Sequence, residues 1–375
     1  MRGSLRLLGA VGQRVVSLDT PCLLVDVNSM KRNLRLMVQC ADTLNVKLRP
    51  HAKAHKSSQL ARMQIEAACQ GQCVAKLSEA HVLASGGVDD ILITNQIVAQ
   101  SKIQRLLSLS RPSLRLAICV DNPANVDHIA ESFASAHKEL DVFIEVEVGQ
   151  GRCGVAPGEA CVALAKQVAA APALRFAGLQ CYHGWNQHVA ALDERAARVE
   201  NVLEKVARCV DALARIGLRP ETVTGGGTGT WPLEAKSGLF TEIQPGSFMF
   251  MDNEYGGIEM EQPFEHSLSV LSTVISDASA HASWAVVDAG SKAIHPGVKA
   301  VTVSGHPELT YRSGGDEHGI IEGPAESLRA LNNGSQLQLI PGHCDPTVNM
   351  YDAFTGIEGE HVTDVWPIEA RGPGV

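Results

Sequence analysis

Along this chain, short runs dense in Val, Ile, Leu and Cys alternate with longer stretches whose apolar residues recur every three or four positions. The first pattern predicts strands buried on both faces, the second amphipathic helices. An apolar run at 22–27 opens the series, and a helical period follows from 29 to 44. Strand-like runs then recur at 46–49, 73–76, 91–94, 115–120, 142–148, 175–181, 222–224 and 241–243, with helical stretches between them. The clearest helix spans 193–216, where Val199, Val202, Leu203, Val206, Val210 and Leu213 trace one face and Gly217 supplies a C-terminal stop. Setting the opening run aside, eight strand-then-helix units predict an α/β fold of the (β/α)8 TIM-barrel type, which takes roughly 250 residues. An open doubly wound sheet would show the same alternation.

Beyond about residue 261 the texture changes. Runs at 267–276, 284–288, 299–303 and 336–340 read as strands separated by Gly, Pro and Asn, with little helical period. The expected organisation is a barrel over 28–260 and an antiparallel β domain over 261–375, joined by the N-terminal segment 1–27.

Composition narrows the function classes. Of 375 residues 45% are apolar and 19% charged, enough for a full globular core. The 32 Lys and Arg against 41 Asp and Glu give a net charge of −9, spread along the chain, which argues against nucleic acid or an anionic membrane as partner. No apolar run approaches the ~20 residues of a membrane-spanning helix. Residues 1–16 carry Arg2, Arg6 and Arg14 without an acid, but their apolar stretch is too short for a secretory signal, so a cytoplasmic protein is expected. The ten cysteines are scattered, with no Cys-x-x-Cys, and read as reduced, buried thiols.

Candidate chemistry gathers where a barrel keeps it, just after the strands. The first barrel strand leads into Arg49-Pro50-His51-Ala52-Lys53-Ala54-His55-Lys56. If extended, it puts His51, Lys53 and His55 on one face. Desolvation and neighbouring imidazolium charge would then lower the lysine pKa and free its amine to attack a carbonyl. A solvated basic loop would carry the same residues. After the seventh strand, Thr224-Gly225-Gly226-Gly227-Thr228-Gly229 can turn backbone amides onto a phosphate, or simply make a turn. Gly149-Gln150-Gly151-Arg152-Cys153-Gly154 offers one cation between glycines, and Tyr182, His183 and His188 follow the sixth strand. Finally, in Pro341-Gly342-His343-Cys344-Asp345-Pro346-Thr347, extended backbone would point His343 and Asp345 the same way. Such an open N/O pair suits Mn²⁺ or Mg²⁺ better than a structural zinc.

Together and in order, these elements resemble the D-threonine aldolase and eukaryotic-type D-serine dehydratase family. The resemblance runs from Thr20-Pro21 to Asp364-Val365-Trp366, and its marks are Pro50-His51-x-Lys53-x-His55-Lys56, the 224–228 loop and His343-x-Asp345-Pro346-Thr347. It implies an alanine-racemase-like barrel with a C-terminal β domain, and Lys53 in a Schiff base with pyridoxal 5'-phosphate. It further implies that Arg152 and Tyr182 contact the cofactor ring, and that Thr224, Gly226, Gly227 and Ser247 hold its phosphate. His343 and Asp345 match the metal ligands, with His188 and Asp316 near the metal. The implied partner is a small D-3-hydroxy amino acid, cleaved to glycine and an aldehyde by a homodimer, with His188 as a candidate base.

Dehydratases of this type resemble one another in carrying His-x-Cys. Here Asp345 holds that place, and on a strand Cys344 would face away. The harder pair looks like the aldolases, with Mn²⁺ or Mg²⁺ as the metal. Dehydration of D-serine or 3-hydroxyaspartate, a 3-hydroxyaspartate aldolase and a non-catalytic pyridoxal-phosphate carrier stand as alternatives.

Overall fold

A computed structural model describes residues 9–279 and 283–374. The first eight residues of the basic opening segment, and so part of the 1–27 share of the β domain, lie outside the described residues. Strand β1 (Cys22–Asp26) runs straight into a helix, Val27–Thr43, whose first turn is capped by the Asp26 carboxylate on the Ser29 amide.

Eight parallel strands follow: β2 (Lys47–Leu48), β3 (Gln72–Val74), β4 (Asp90–Gln96), β5 (Arg115–Val120), β6 (Leu140–Glu145), β7 (Leu174–Cys181), β8 (Thr222–Gly225) and β9 (Glu242–Ile243). They pair in sequence order from β3 to β9, and β9 pairs with β2. A parallel bridge between His51 and Cys73, with the Cys73 amide bonded to the Pro50 carbonyl, joins β2 to β3 and closes the ring. An open doubly wound sheet is thereby excluded. Small and medium side chains, Cys73, Leu92, Ala117, Cys119, Phe143 and Ala177, pack inside the ring. Outside it, the helices bury their apolar faces on Ile91, Ile93, Ile118, Val142 and Ile144.

The remaining strands, β10 (Leu268–Ser276), β11 (Trp284–Val287), β12 (Thr302–Val303), β13 (Thr310–Ser313), β14 (Gly319–Glu322), β15 (Gln336–Ile340), β16 (Ala353–Glu358) and β17 (His361–Pro367), form the second sheet. Six of them close into a small antiparallel barrel in the order β10-β11-β14-β13-β12-β15. Strand β10 is long enough to share one edge, pairing with β11 near its end and with β1 over Leu268–Leu271. Through β1 the sheet continues to the β16–β17 hairpin, so the N-terminal strand does belong to the antiparallel sheet. Strands β13, β14, β16 and β17 were not anticipated. No described helix is long and apolar enough to cross a membrane.

Candidate active site

At the C-terminal ends of the barrel strands lies a cavity of about 190 Å³, lined among others by His51, Lys53, Thr94, Glu145, Arg152, Tyr182, Gly227, Thr228, Ser247 and Tyr255. Lys53 enters it from the loop after β2. That loop is not extended: Ala52–Ala54 forms a 3-10 turn, closed by the His51 imidazole accepting from the Lys53 amide. The expected shared face of His51, Lys53 and His55 is therefore broken. His51 bonds Thr94 Oγ1 at 3.0 Å, while His55, 1% exposed, accepts the Ser57 amide away from the cavity.

The electrostatics also depart from expectation. Burial alone would lower the Lys53 pKa, but the Asp345 carboxylate, directly paired with its ammonium, and Tyr182 outweigh that and hold it above its ordinary value. The two imidazoles bring no charge to it. Burial, and then the Lys53 ammonium, push His51 down to about 3, and burial pushes His55 down to about 4. The predicted depressed lysine is thus corrected by an acid 292 residues away.

Arg152, carried by the glycine-flanked turn after β6, lies over the Tyr182 ring at 5.6 Å from its centroid. Glu145, 5% exposed, faces it at 3.5 Å. The glycine loop after β8 meets the same cavity at Gly227 and Thr228. A side chain would not fit there, since a Cβ on Gly227 would lie 2.5 Å from Gln187 Oε1 and one on Gly229 2.1 Å from the Gln187 carbonyl. Among the described residues no acceptor meets the amides of Thr228 and Ser247, both of which line the cavity. Thr224 behaves differently: wholly buried, its hydroxyl donates to Glu242 and accepts from Gln244 inside the barrel. Gly226, in the left-handed region at φ +68°, shapes the turn behind Gly227.

Beside this cavity, the β domain brings Asp345 onto Lys53 and joins a second group of side chains from the loops after β7 and β9. The segment expected as a strand at His343-Cys344-Asp345 instead starts a short helix, Cys344–Val348, with His343 as its extended N-cap. Asp345 reaches Lys53 and accepts from Ser247 Oγ at 3.3 Å; Lys53 and His343 hold its carboxyl far below the usual range, against the effect of burial. His343 Nδ1 bonds Asp252 Oδ2 at 3.0 Å, which offsets burial and raises the imidazole pKa. His188, at the end of the 3-10 turn Trp185–His188, packs against Tyr255 with centroids 5.0 Å apart and lies edge-on to His343 at 6.4 Å. Burial lowers its pKa, so the ring is held neutral. Asp316 is not brought to this group: it is exposed, facing Lys292 at 3.5 Å and Ser291.

Two carboxylates were missed. Asp252, wholly buried, accepts the Tyr255 amide on one oxygen and both the Cys344 amide and His343 on the other. Glu254 lies 3.7 Å from both His188 and His343 and accepts the Val298 amide. Their one local signal is a pair of acids directly after the apolar run Phe248-Met249-Phe250-Met251. Nor does Cys344 face away from the group. Its sulfur lies with donor atoms of Asp252 and His343 inside a 4.8 Å cluster. Burial keeps that thiol firmly protonated, and Asp252 already has three N–H donors, so neither is a free ligand. His343 keeps its second nitrogen outside the Asp252 hydrogen bond, while the Asp345 carboxylate already accepts from Lys53, Ser247 and the Cys344 thiol.

The alanine racemase N-terminal domain family matches residues 25–254, and a serine dehydratase domain matches 267–357. The 3-hydroxy-D-aspartate aldolase of Paracoccus denitrificans (strain Pd 1222) is 39% identical over 365 residues, 95% of this chain and 93% of its own length. The D-threonine aldolase of an Arthrobacter species is also 39% identical, covering 96% of this chain and 95% of its own. The chain belongs to the D-threonine aldolase-like branch of the alanine-racemase-type family. A crystal structure of D-threonine aldolase from Filomicrobium marinum superposes with a TM-score of 0.93 at 38% identity, covering 96% of this chain and 98% of that one. The family is one of pyridoxal-phosphate enzymes, and the cavity suits that cofactor. Its lining combines a lysine, an arginine–tyrosine pair, and the amides of Thr228 and Ser247, which meet no acceptor among the described residues, next to Gly227.

Proposed function

We propose that this chain is a pyridoxal-phosphate- and divalent-metal-dependent aldolase that cleaves D-3-hydroxy amino acids to glycine and an aldehyde. The observation that carries this reading is the pairing of Lys53, which lines the cavity, with Asp345 of the β domain. Each is the other's counter-ion. A cofactor on the lysine and a cation on the carboxylate would replace that pairing while keeping the two centres on adjacent atoms of one substrate. The 39% identity to two aldolases supports carbon–carbon cleavage.

When bound, pyridoxal phosphate would take up the electron pair left at Cα, and Mn²⁺ or Mg²⁺ would acidify the 3-hydroxyl. Lys53 is the residue that would hold the cofactor, with Arg152 and Tyr182 at its ring and the Gly227, Thr228 and Ser247 backbone at its phosphate. His343 and Asp345 would hold the metal. Asp252 fixes the His343 ring by its Nδ1 hydrogen bond and leaves Nε2 to ligate. His188, neutral and beside Glu254, accepts the hydroxyl proton as the carbon–oxygen double bond forms and the Cα–Cβ bond breaks. Glu254 then faces the imidazolium and stabilises it.

The test is an assay with pyridoxal phosphate and Mn²⁺, repeated in chelator, offering D-threonine, L-threonine, D-serine and D-3-hydroxyaspartate. Glycine plus an aldehyde from a D-substrate, lost in chelator, is expected. A 2-oxo acid plus ammonia would make the enzyme a dehydratase, and full activity in chelator would remove the metal from the reaction.

A further inference from the structure

Lys56 stands three residues beyond the candidate cofactor lysine, and its ammonium is a knot between segments far apart in the chain. Nζ donates to Asn349 Oδ1 at 2.8 Å and to the Gly372 carbonyl at 3.1 Å, and Glu79 Oε1 lies at 3.4 Å. An ammonium has three protons, and here three acceptors face them. The side chain is 12% exposed and that of Glu79 3%. Glu79 terminates the barrel side by accepting the Ala75 and Lys76 amides just after β3. Asn349 is the C-cap of the helix Cys344–Val348, which carries Asp345. Gly372 belongs to the C-terminal segment, whose own amide also bonds Asn349 Oδ1, at 2.8 Å.

The backbone tightens the same knot. Lys56 adopts φ +52°, a conformation unfavourable for a residue with a Cβ, with its amide on the Ala52 carbonyl and its carbonyl accepting from Ala370. Next to it, the Ser58 amide and hydroxyl both donate to Glu369. The C-terminal segment is therefore laid across the exit of the Lys53 loop. Lys53 hangs from the parallel barrel, and Asp345 from a helix that follows β15 of the other sheet, so this knot adds to the bonds of Asp252, Asn253 and Glu254 that tie the head of that helix to the barrel.

We infer that Lys56, through Asn349 and the C-terminal segment, is a positioning residue that sets the separation of the cofactor lysine from the metal-binding carboxylate. The inference rests on the proposed aldolase site. Its logic is distance: the two reactive centres must meet neighbouring atoms of one small substrate, and misplacement by an ångström is costly. The Lys56–Glu79 pair lies wholly on the barrel and can serve stability alone. The Asn349 bond crosses to the helix bearing Asp345, so it is the bond to cut.

Asn349→Ala removes that crossing and leaves Lys56 with Glu79 and the Gly372 carbonyl, whereas Asn349→Asp keeps an acceptor in place. Both would be compared with the wild type as full-length protein, without substrate. Pyridoxal phosphate affinity and the visible circular dichroism of the bound cofactor would be read first, then Mn²⁺ affinity by calorimetry, with far-UV circular dichroism as the folding control. Asn349→Ala is expected to alter the visible band and to weaken cofactor and metal binding about tenfold each, as loss of an orienting partner does. Asn349→Asp is expected to restore most of both. An unchanged band and cofactor affinity in Asn349→Ala, or an Asp variant as impaired as the Ala one, would overturn the inference. Because no readout needs turnover, a wild type that binds the cofactor but cleaves no D-hydroxy amino acid defeats the aldolase reading and not this one.

Discussion

The two walls that flank the Lys53–Asp345 pair solve opposite electrostatic problems. On the cavity wall the His51 imidazole is held neutral, and the charges that remain are the cations Lys53 and Arg152, with Glu145 behind the arginine. The opposite wall is acidic: Asp252, Glu254 and Asp345 surround two imidazoles, one of them hydrogen-bonded so that its pKa rises. The first wall is built to receive a phosphorylated, anionic guest, the second a cation. Each wall has its own chemistry, and they meet at the Lys53–Asp345 pair. A substrate that spans both is held at that seam.

The sharpest way to break this division is at the seam itself. Lys53→Ala should abolish turnover and the lysine-bound cofactor absorbance together, while leaving Mn²⁺ binding measurable by calorimetry. Loss of metal binding in that variant would mean that the walls are not separable. Asp345→Ala should do the reverse, retaining the cofactor spectrum but losing metal-dependent cleavage; activity equal to wild type in chelator would refute the assignment. A smaller effect is expected one bond further out. Asp252→Asn keeps the shape but removes the charge behind His343, and metal affinity should fall by roughly 10–100-fold with little change in cofactor affinity.

The same contrast governs what could be read from the sequence. Barrel strands buried on both faces are short continuous apolar runs, and 115–120 matches β5 (Arg115–Val120) to the residue. In the β domain, β13 is Thr310–Ser313, exposed at three of its four positions, and nothing local separates it from a loop. Lys53, Arg152 and Tyr182 stand out because loops after barrel strands are where such side chains converge, whereas Ser247 comes only with the family resemblance and His343 and Asp345 with a His-x-Asp motif outside the barrel. Asp252 does not, because its meaning is a hydrogen bond to a residue 91 positions away. The Lys53 pKa failed for the same reason: its nearest titratable neighbours in sequence are the imidazoles of His51 and His55, its partner in space is the Asp345 carboxylate. Extended backbone was also assumed at 51–55 and 343–345, where the chain turns so that Lys53 and Asp345 face one another.

The mildest prediction concerns the neutral imidazoles, and its sign follows from linkage. An unfolded histidine titrates near 6.5, whereas His55 is pushed down to about 4 and His51 to about 3. Between those values the unfolded chain binds protons that the native barrel refuses, so stability falls as pH falls. The contribution is fully present above 6.5 and is lost as pH drops through the folded values. His55, at 1% exposed, is the cleaner probe, and its neutral form is worth about 3 kcal/mol at most. Asp345 does not confuse this window: its depressed carboxyl contributes above 3.8 and is lost only in stronger acid. His343, raised instead of lowered, works in the opposite sense and partly flattens the curve near neutrality. Urea midpoints measured from pH 7.5 down to 4.5 should therefore decline in the wild type and decline less steeply in His55→Gln. Parallel slopes would show that His55 is solvated, and that burial does not hold the imidazoles of the Lys53 loop neutral.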